Sequence, residues 1–276
     1  MPTLKSLPIA EAKKKYGSHF FSRNQEEGLF LYVPPRTVVD EPLEVLDSLT
    51  LVLGEGAEVK IYCKAPILDI VLEKGAQLKI EEHIHVEQGE QYHSQLHAKI
   101  YEEAQLLRHL FRTGGGIAHE EVKVELRGAR ADATLNGAAN IGDRAQHNVN
   151  ILAHHIAPRT TSHQYYKNIL DREAKASFEA KIYVEKEALL TDAYQLVNHL
   201  LLSPKAAAFS RPNLEIFADD VKASHGATVS EVDKRYLHYL KTRGIDETLG
   251  KKMLLKGFLL TLFENTKLQT IVAESL

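Results

Sequence analysis

One cysteine, no tryptophan and two methionines serve a chain of 276 residues. A single thiol, Cys63, excludes an internal disulfide framework and any all-cysteine metal site built from this chain alone. Aromatic residues reach only 7%, too few for the exposed stacking surfaces that sugar-processing enzymes use. Charge of neither sign accumulates: 34 Lys and Arg face 37 Asp and Glu, for a net −3. The basic residues are scattered, so a nucleic-acid partner is not expected. Long apolar runs are missing too. The stretch from Phe258 to Phe263, interrupted by Thr261, is far too short to span a bilayer. The opening MPTLKSLPIAEAKKKYGS lacks the apolar core and cleavage site of a secretory signal. These absences point to a soluble, cytoplasmic protein with no membrane partner, long enough to bury roughly three-quarters of its unfolded surface.

Three regions follow from the pattern: a short arm over residues 1–27, a β-rich core over 28–226 and a helical subdomain over 227–276. In the core, Val59, Ile61 and Cys63 share one parity while Lys60, Tyr62 and Lys64 take the other. That alternation marks a half-buried strand. Leu78 and Ile80, then Leu96, Ala98 and Ile100, continue it. A weak repeat lies on top, each copy a turn residue, an alanine and a strand: GAEVKI from Gly56, GAQLKI from Gly75, EAQLLRHL from Glu103, GARADATL from Gly128 and EAKASFEAKI from Glu173. The alanines Ala57, Ala76, Ala104, Ala129 and Ala174 are spaced 19, 28, 25 and 45 residues apart. A drifting period fits a solenoid whose coils differ in length, and it also fits a sandwich. Helical patterns are too few for βαβ units.

After Gly226 the period changes. Ser230, with Asp233 three residues on, is placed to cap a helix in which Val232, Tyr236 and Leu240 recur at i, i+4 and i+8. Gly244 suits a left-handed residue closing it. Asp246 can cap a second helix with Leu255, Phe258, Leu259 and Leu262 on one stripe. Met253, Leu254, Leu260 and Phe263 fall outside that stripe, and a helix apolar most of the way round needs cover on two sides. Burial within its own domain and packing between the core and a partner protein both answer that need.

The segment from Leu200 reads LLLSPKAAAFSRPNLEIFADDVKASHGATVSEVD, followed by YLHYLKTRGI and LLKGFLL. It resembles the C-terminal signature of the SufB/SufD family of iron–sulfur cluster assembly scaffolds, on the SufD side. The matching residues are Pro212, Leu214, Glu215 and Ile216; Asp219, Asp220, Val221 and Lys222; His225 to Thr228; and Tyr239, Leu240, Arg243, Gly244 and Ile245. Upstream, His155, Pro158 and Ser162 match an H-x-x-P…S run. Departures are Ala223 where the family often has cysteine, and Phe178-Glu179-Ala180 where it has F-x-G.

The resemblance implies a mainly β fold, a right-handed parallel β-helix capped by helices. It implies a non-catalytic scaffold subunit that pairs with a SufB-like chain, or with a second copy of itself as a homodimer. A SufC-like ATPase supplies ATP hydrolysis and grips the helices, for which Tyr239, Arg243, Leu255, Phe258 and Leu262 are the candidate contacts. No cofactor is held by the chain alone, and a transient iron–sulfur cluster forms at the partner interface. His225, placed at a strand-to-helix turn, is the candidate cluster-assembly residue and shared metal ligand, since a neutral imidazole is a competent ligand for iron.

Other candidates read as structural. Cys63 shares parity with Val59 and Ile61 and suits a small buried hydrophobe. His83, His85, His93 and His97 oppose Ile84 and Leu96, which puts them on a solvated face with Glu81, Glu87 and Lys99. His154 and His155 are adjacent, so at most one points inward; His155 suits a hydrogen-bonded structural role. The rival class is a β-helix enzyme. A carbohydrate-active one wants aromatics and clustered acids, and a zinc-dependent one of the γ-carbonic anhydrase kind wants a hexapeptide period that is absent.

Overall fold

The computed structural model describes residues 29–276, so the arm assigned to residues 1–27 lies outside the described residues. Short β-prone segments alternate with tight corners along most of this length. In chain order they are β1 (Leu29–Val33), β2 (Leu43–Val45), β3 (Leu49–Leu53), β4 (Glu58–Cys63), β5 (Ile67–Leu72) and β6 (Gln77–Val86). Then come β7 (Gln91–Ile100), β8 (Gln105–Gly114), β9 (Ile117–Leu126), β10 (Asp132–Ile141) and β11 (Gln146–His155). The series ends with β12 (Thr161–Leu170), β13 (Lys175–Val184), β14 (Thr191–Leu201), β15 (Ala207–Ile216) and β16 (Val221–Glu231).

Odd-numbered strands form one eight-stranded sheet and even-numbered strands another. Every pairing within them is parallel. The chain therefore winds as a two-sheet parallel β-solenoid, and the sandwich reading is set aside. The inward parity is the one the alternation marks: Val59, Ile61 and Cys63 are all buried.

The corners explain the drifting repeat. Ala57, Ala76 and Ala104 each end a four-residue turn before an even strand, donating back to Gly54, Glu73 and Tyr101. Their counterpart in the next coil is the buried Ala131, which donates to Gly128, and not Ala129. Ala174 belongs to the opposite corner, with Ala145. The repeat therefore mixed two corners. Along the even sheet, strands open at Glu58, Gln77, Gln105, Asp132, Thr161 and Thr191, so the coil lengthens early and then stays nearly constant.

Inward positions of the odd sheet build an apolar ladder, Leu51–Ile70–Ala98–Val124–Ala153–Ile182–Leu214. The even sheet departs from this. Arg108 follows Ile61 and Ile80 on one ladder and is fully buried. Its guanidinium pairs with Glu82 and Glu120, and Tyr166 donates its hydroxyl to Glu120 at 3.1 Å. Burial is the largest influence on Glu120 and opposes its ionisation, but Arg108, His147 and Arg112 together outweigh it and hold the carboxyl well below the usual range. Gly137 makes room for this network: a Cβ there would lie 2.2 Å from the Tyr166 ring.

Three helices follow: α1 (Lys234–Thr242), α2 (Glu247–Leu260) and α3 (Leu268–Glu274). The change of period expected after Gly226 falls later, because β16 continues to Glu231. Ser230 lies in that strand, and the cap of α1 is Asp233, which accepts from the backbone N–H of Arg235. Gly244 has φ 82° and Asp246 caps α2, as the sequence suggests. The third helix had no counterpart in the sequence reading. Leu255, Leu259, Phe263, Leu268 and Val272 pack on Phe111, Ala138, Ile169 and Leu200, on the outer face of the even sheet. Lys167 pins the layer by donating to the carbonyl of Phe258 at 2.9 Å and to Thr261 Oγ1 at 2.7 Å. A cation there offsets the unpaired carbonyls of a helix C-terminus.

This cover overturns the solvated reading of Glu81. It is 2% exposed, bound to Lys60 at 2.8 Å and Lys79 at 3.2 Å, and accepts from the backbone of Lys267. His85 and His93 are exposed as expected, whereas His83 is half-buried against Phe111.

Removing one member of a buried ion pair leaves an uncompensated charge, which costs about 3–5 kcal/mol. Arg108→Met is expected to lose that much in urea unfolding of the whole chain. A loss under ~1 kcal/mol would mean that Glu82 and Glu120 do not depend on Arg108.

Candidate functional site

The two sheets end differently. At the β16 end, β15 and β16 close their sheets with no further strand beside them among the described residues. Each is a long strand, of 10 and 11 residues, and an uncovered edge of this kind offers backbone donors and acceptors to another chain. Large apolar side chains gather at this rim: Phe209, Phe217 and Val229 are each about half exposed.

His225 sits in the middle of β16, not at a strand-to-helix turn, and the His-Gly-Ala-Thr run is strand throughout. Its register partner is Gln195, flanked by Ala223 over Ala193 and Ala227 over Val197. Gln195, Ala193 and Val197 all point inward and are buried. His225 therefore shares the inward parity, yet it is exposed because no coil follows. Pro212, Leu214 and Ile216 lie in β15. The Asp219–Asp220 pair forms the corner into β16, so the best-matched motif of the sequence is the rim itself.

Cys63 is elsewhere. It lies on β4, six strand spacings from β16 in the same sheet, or roughly 29 Å at ~4.8 Å per strand. It is 2% exposed, and burial, reinforced by Glu82, pushes its thiol up to about 12. A thiol in that state is a poor metal ligand. Among the described residues no group of three or more His, Cys, Asp or Glu side chains is disposed to hold a metal ion.

His155 explains the H-x-x-P…S run. It is wholly buried, sharing hydrogen bonds with Thr160 Oγ1 at 2.7 Å and Ser162 Oγ at 2.8 Å. Its neighbour His154 points outward to Glu185 at 2.9 Å. The ring of His155 ties one corner to the next strand.

The helices divide between two roles. Leu255 is buried on the solenoid, and Phe258 and Leu262 pack against the same cluster. These three candidate contacts thus face inward. Tyr239 and Arg243 face outward, the guanidinium 5.4 Å from the ring centroid. Tyr236, Leu249 and Met253 accompany them as exposed side chains.

Sequence reasoning missed the polar interior behind His225. Gln164, Gln195, Asn168, His147 and His199 are all buried. In β12 both faces are polar, Ser162, Gln164 and Asn168 on one and His163, Tyr165 and Lys167 on the other. The missing alternation was the available signal.

Fold and rim together define an open-ended parallel β-solenoid with a helical layer on one sheet. Residues 35–258 match the family model described as "SUF system FeS cluster assembly, SufBD core domain", and the chain belongs to that family. It is 31% identical over 165 residues to the iron–sulfur cluster assembly protein SufD of Escherichia coli, covering 60% of this chain and 39% of that one. It is 32% identical over 210 residues to the chloroplastic protein ABCI7 of Arabidopsis thaliana, covering 73% and 42%. A SufBD family protein of Synechocystis is 40% identical over 101 residues, 37% of this chain and 22% of that one. The matched regions span about two-fifths or less of these relatives' own length. No helix of the described residues is long and apolar enough to cross a membrane.

Four buried histidines give the fold a pH signature, and burial lowers His147 as it does the other three. Burial lowers His155 to about 3, and His109 and His199 to about 4. The unfolded chain, near 6.5, takes up these protons first as pH falls. Stability is therefore full above about pH 6.5 and lost towards pH 4, by about 1.4 kcal/mol per pH unit for each histidine. Urea midpoints measured across this range should fall steeply, and His109→Gln should lower the slope by one proton. An unchanged slope in that variant would show that His109 is already protonated in the fold.

Proposed function

We propose that this chain is a non-catalytic scaffold subunit of an iron–sulfur assembly complex, joined at the β15–β16 rim to a SufB-like chain. The observation that carries the reading is His225, an exposed imidazole on an edge strand paired on one side only among the described residues, within a chain of the SufBD core family. The partner extends both sheets by backbone pairing, and the half-exposed Phe209, Phe217 and Val229 fill the seam. His225 supplies a nitrogen ligand to a nascent cluster whose remaining ligands come from the partner. The cluster is cargo, assembled and passed on. A second copy of this chain could occupy the same rim, giving a homodimer.

A SufC-like ATPase docks on the outward side of α1 and α2, through Tyr236, Tyr239, Arg243, Leu249 and Met253. ATP chemistry belongs to that subunit. The inward residues Leu255, Phe258 and Leu262 hold the helices on the solenoid, so they act on docking only through the fold.

His225→Ala is expected to leave stability within about 0.5 kcal/mol, since an exposed side chain is removed. Assembly with the partner should survive, while cluster maturation in the reconstituted complex falls at least tenfold, because a methyl group cannot coordinate iron. Wild-type maturation would remove His225 from the site. For the helices, Tyr239→Glu with Met253→Glu should abolish co-purification with the ATPase and leave the circular dichroism spectrum unchanged. Retained binding would move the docking surface off this face.

A further inference from the structure

We propose that the interior of the last coils holds a file of water molecules, bound by Gln164 and Gln195 and running inward from beneath His225 towards His147 and Arg112. The proposal concerns the chain's own interior and does not depend on what the rim assembles with.

Gln164 and Gln195 are neighbours on one ladder of the even sheet, with His225 next above them. Both side chains are 0% exposed, and none of their four amide atoms has a hydrogen-bond partner in the protein. Deeper in, Arg112 spends one nitrogen on Ser94 at 2.8 Å and leaves its Nε and Nη1 unpartnered. His147 makes no hydrogen bond through either ring nitrogen, although its Nε2 stands beside the Glu120 carboxylate at 3.6 Å. An unmade hydrogen bond on a buried polar atom destabilises the fold by the lost hydration of that atom. Eight such atoms left bare would rival the whole margin by which a domain is stable. The fold therefore needs a guest with several donors and acceptors, and buried water, with two to four bonds each, supplies them.

Charge decides against an ion. Arg108 and Arg112 balance Glu82 and Glu120, and burial keeps His147 neutral. An added anion or cation would be unmatched in a medium that penalises bare charge. A guest that is neutral and both gives and accepts hydrogen bonds is what remains. His199 links the file to the rim, bonded to Asn168 at 3.2 Å on one ring nitrogen and to Ser210 at 2.9 Å on the other.

The rival is a dry amide ladder. Side chains one coil apart lie ~4.8 Å from each other along the ladder, close enough for glutamine amides to bond directly after a small rotation.

Deuterated full-length chain carrying nitrogen-15 glutamine separates the two. Gln164→Met and Gln195→Met assign the two side-chain NH2 signals by their loss. Both signals should show cross-peaks to long-lived water; their absence at both sites would establish the dry ladder. A crystal structure of the unaltered chain tests the proposal without any variant. Ordered water between the amides is expected, and direct amide contact with no water would overturn it. Soaking with bromide should leave Arg112 unoccupied, since a bromide peak there would make the guest an anion.

Discussion

Everything in this molecule hangs on the parallel ladder, in which each inward side chain rests on the equivalent residue one coil away. A parallel pair spaces its hydrogen bonds evenly, so the register set at one coil is passed to the next. The ladder from Leu51 to Leu214 shows the result, with seven inward positions filled by aliphatic residues of complementary size. The same rule leaves the last coil unsatisfied. His225, Ala227 and Val229 have the parity of a core and the exposure of a surface. His225 owes its accessibility to that position in the ladder more than to its own chemistry.

Residues whose behaviour is set by their immediate neighbours were legible in the sequence. The parity of Val59, Ile61 and Cys63, the capping role of Asp246 and the left-handed Gly244 all rest on local sterics and hydrogen bonding. What depended on a distant coil was not. Ala131, rather than Ala129, takes the corner because the turn closes back on Gly128. The strand through His225 was misread as a turn because its hydrophobic alternation is weak, and it is held by pairing with β14. Glu81 sits on the outward parity, and only the helical layer, nearly two hundred residues later, buries it. Of the candidate site, the motif residues could be named from the sequence, but their arrangement as a rim and the polar interior behind them required the fold.

The charged interior has a cost and a use. Arg108 with Glu82 and Glu120 occupies space that aliphatic residues could fill with no desolvation penalty. In exchange, the three groups tie β6, β8 and β9 together across both sheets, and Tyr166 adds β12. Parallel solenoids are prone to slip by two residues, because every alternate register keeps the same face inward. A buried ion pair accepts only one register, since any slip would strand a charge among apolar neighbours. The network lies where the coils reach full length, which is where slippage would propagate furthest.

The growing coil has a geometric consequence of its own. Strands of three to six residues at one end widen to ten or eleven at the other, so the solenoid tapers. Head-to-tail stacking is the contact that generates open-ended fibres, whereas mouth-to-mouth contact closes on itself after two molecules. The lengthening of the chain's early coils thus makes the two ends of the described solenoid unlike, a narrow edge at β1 and β2 and a broad one at β15 and β16.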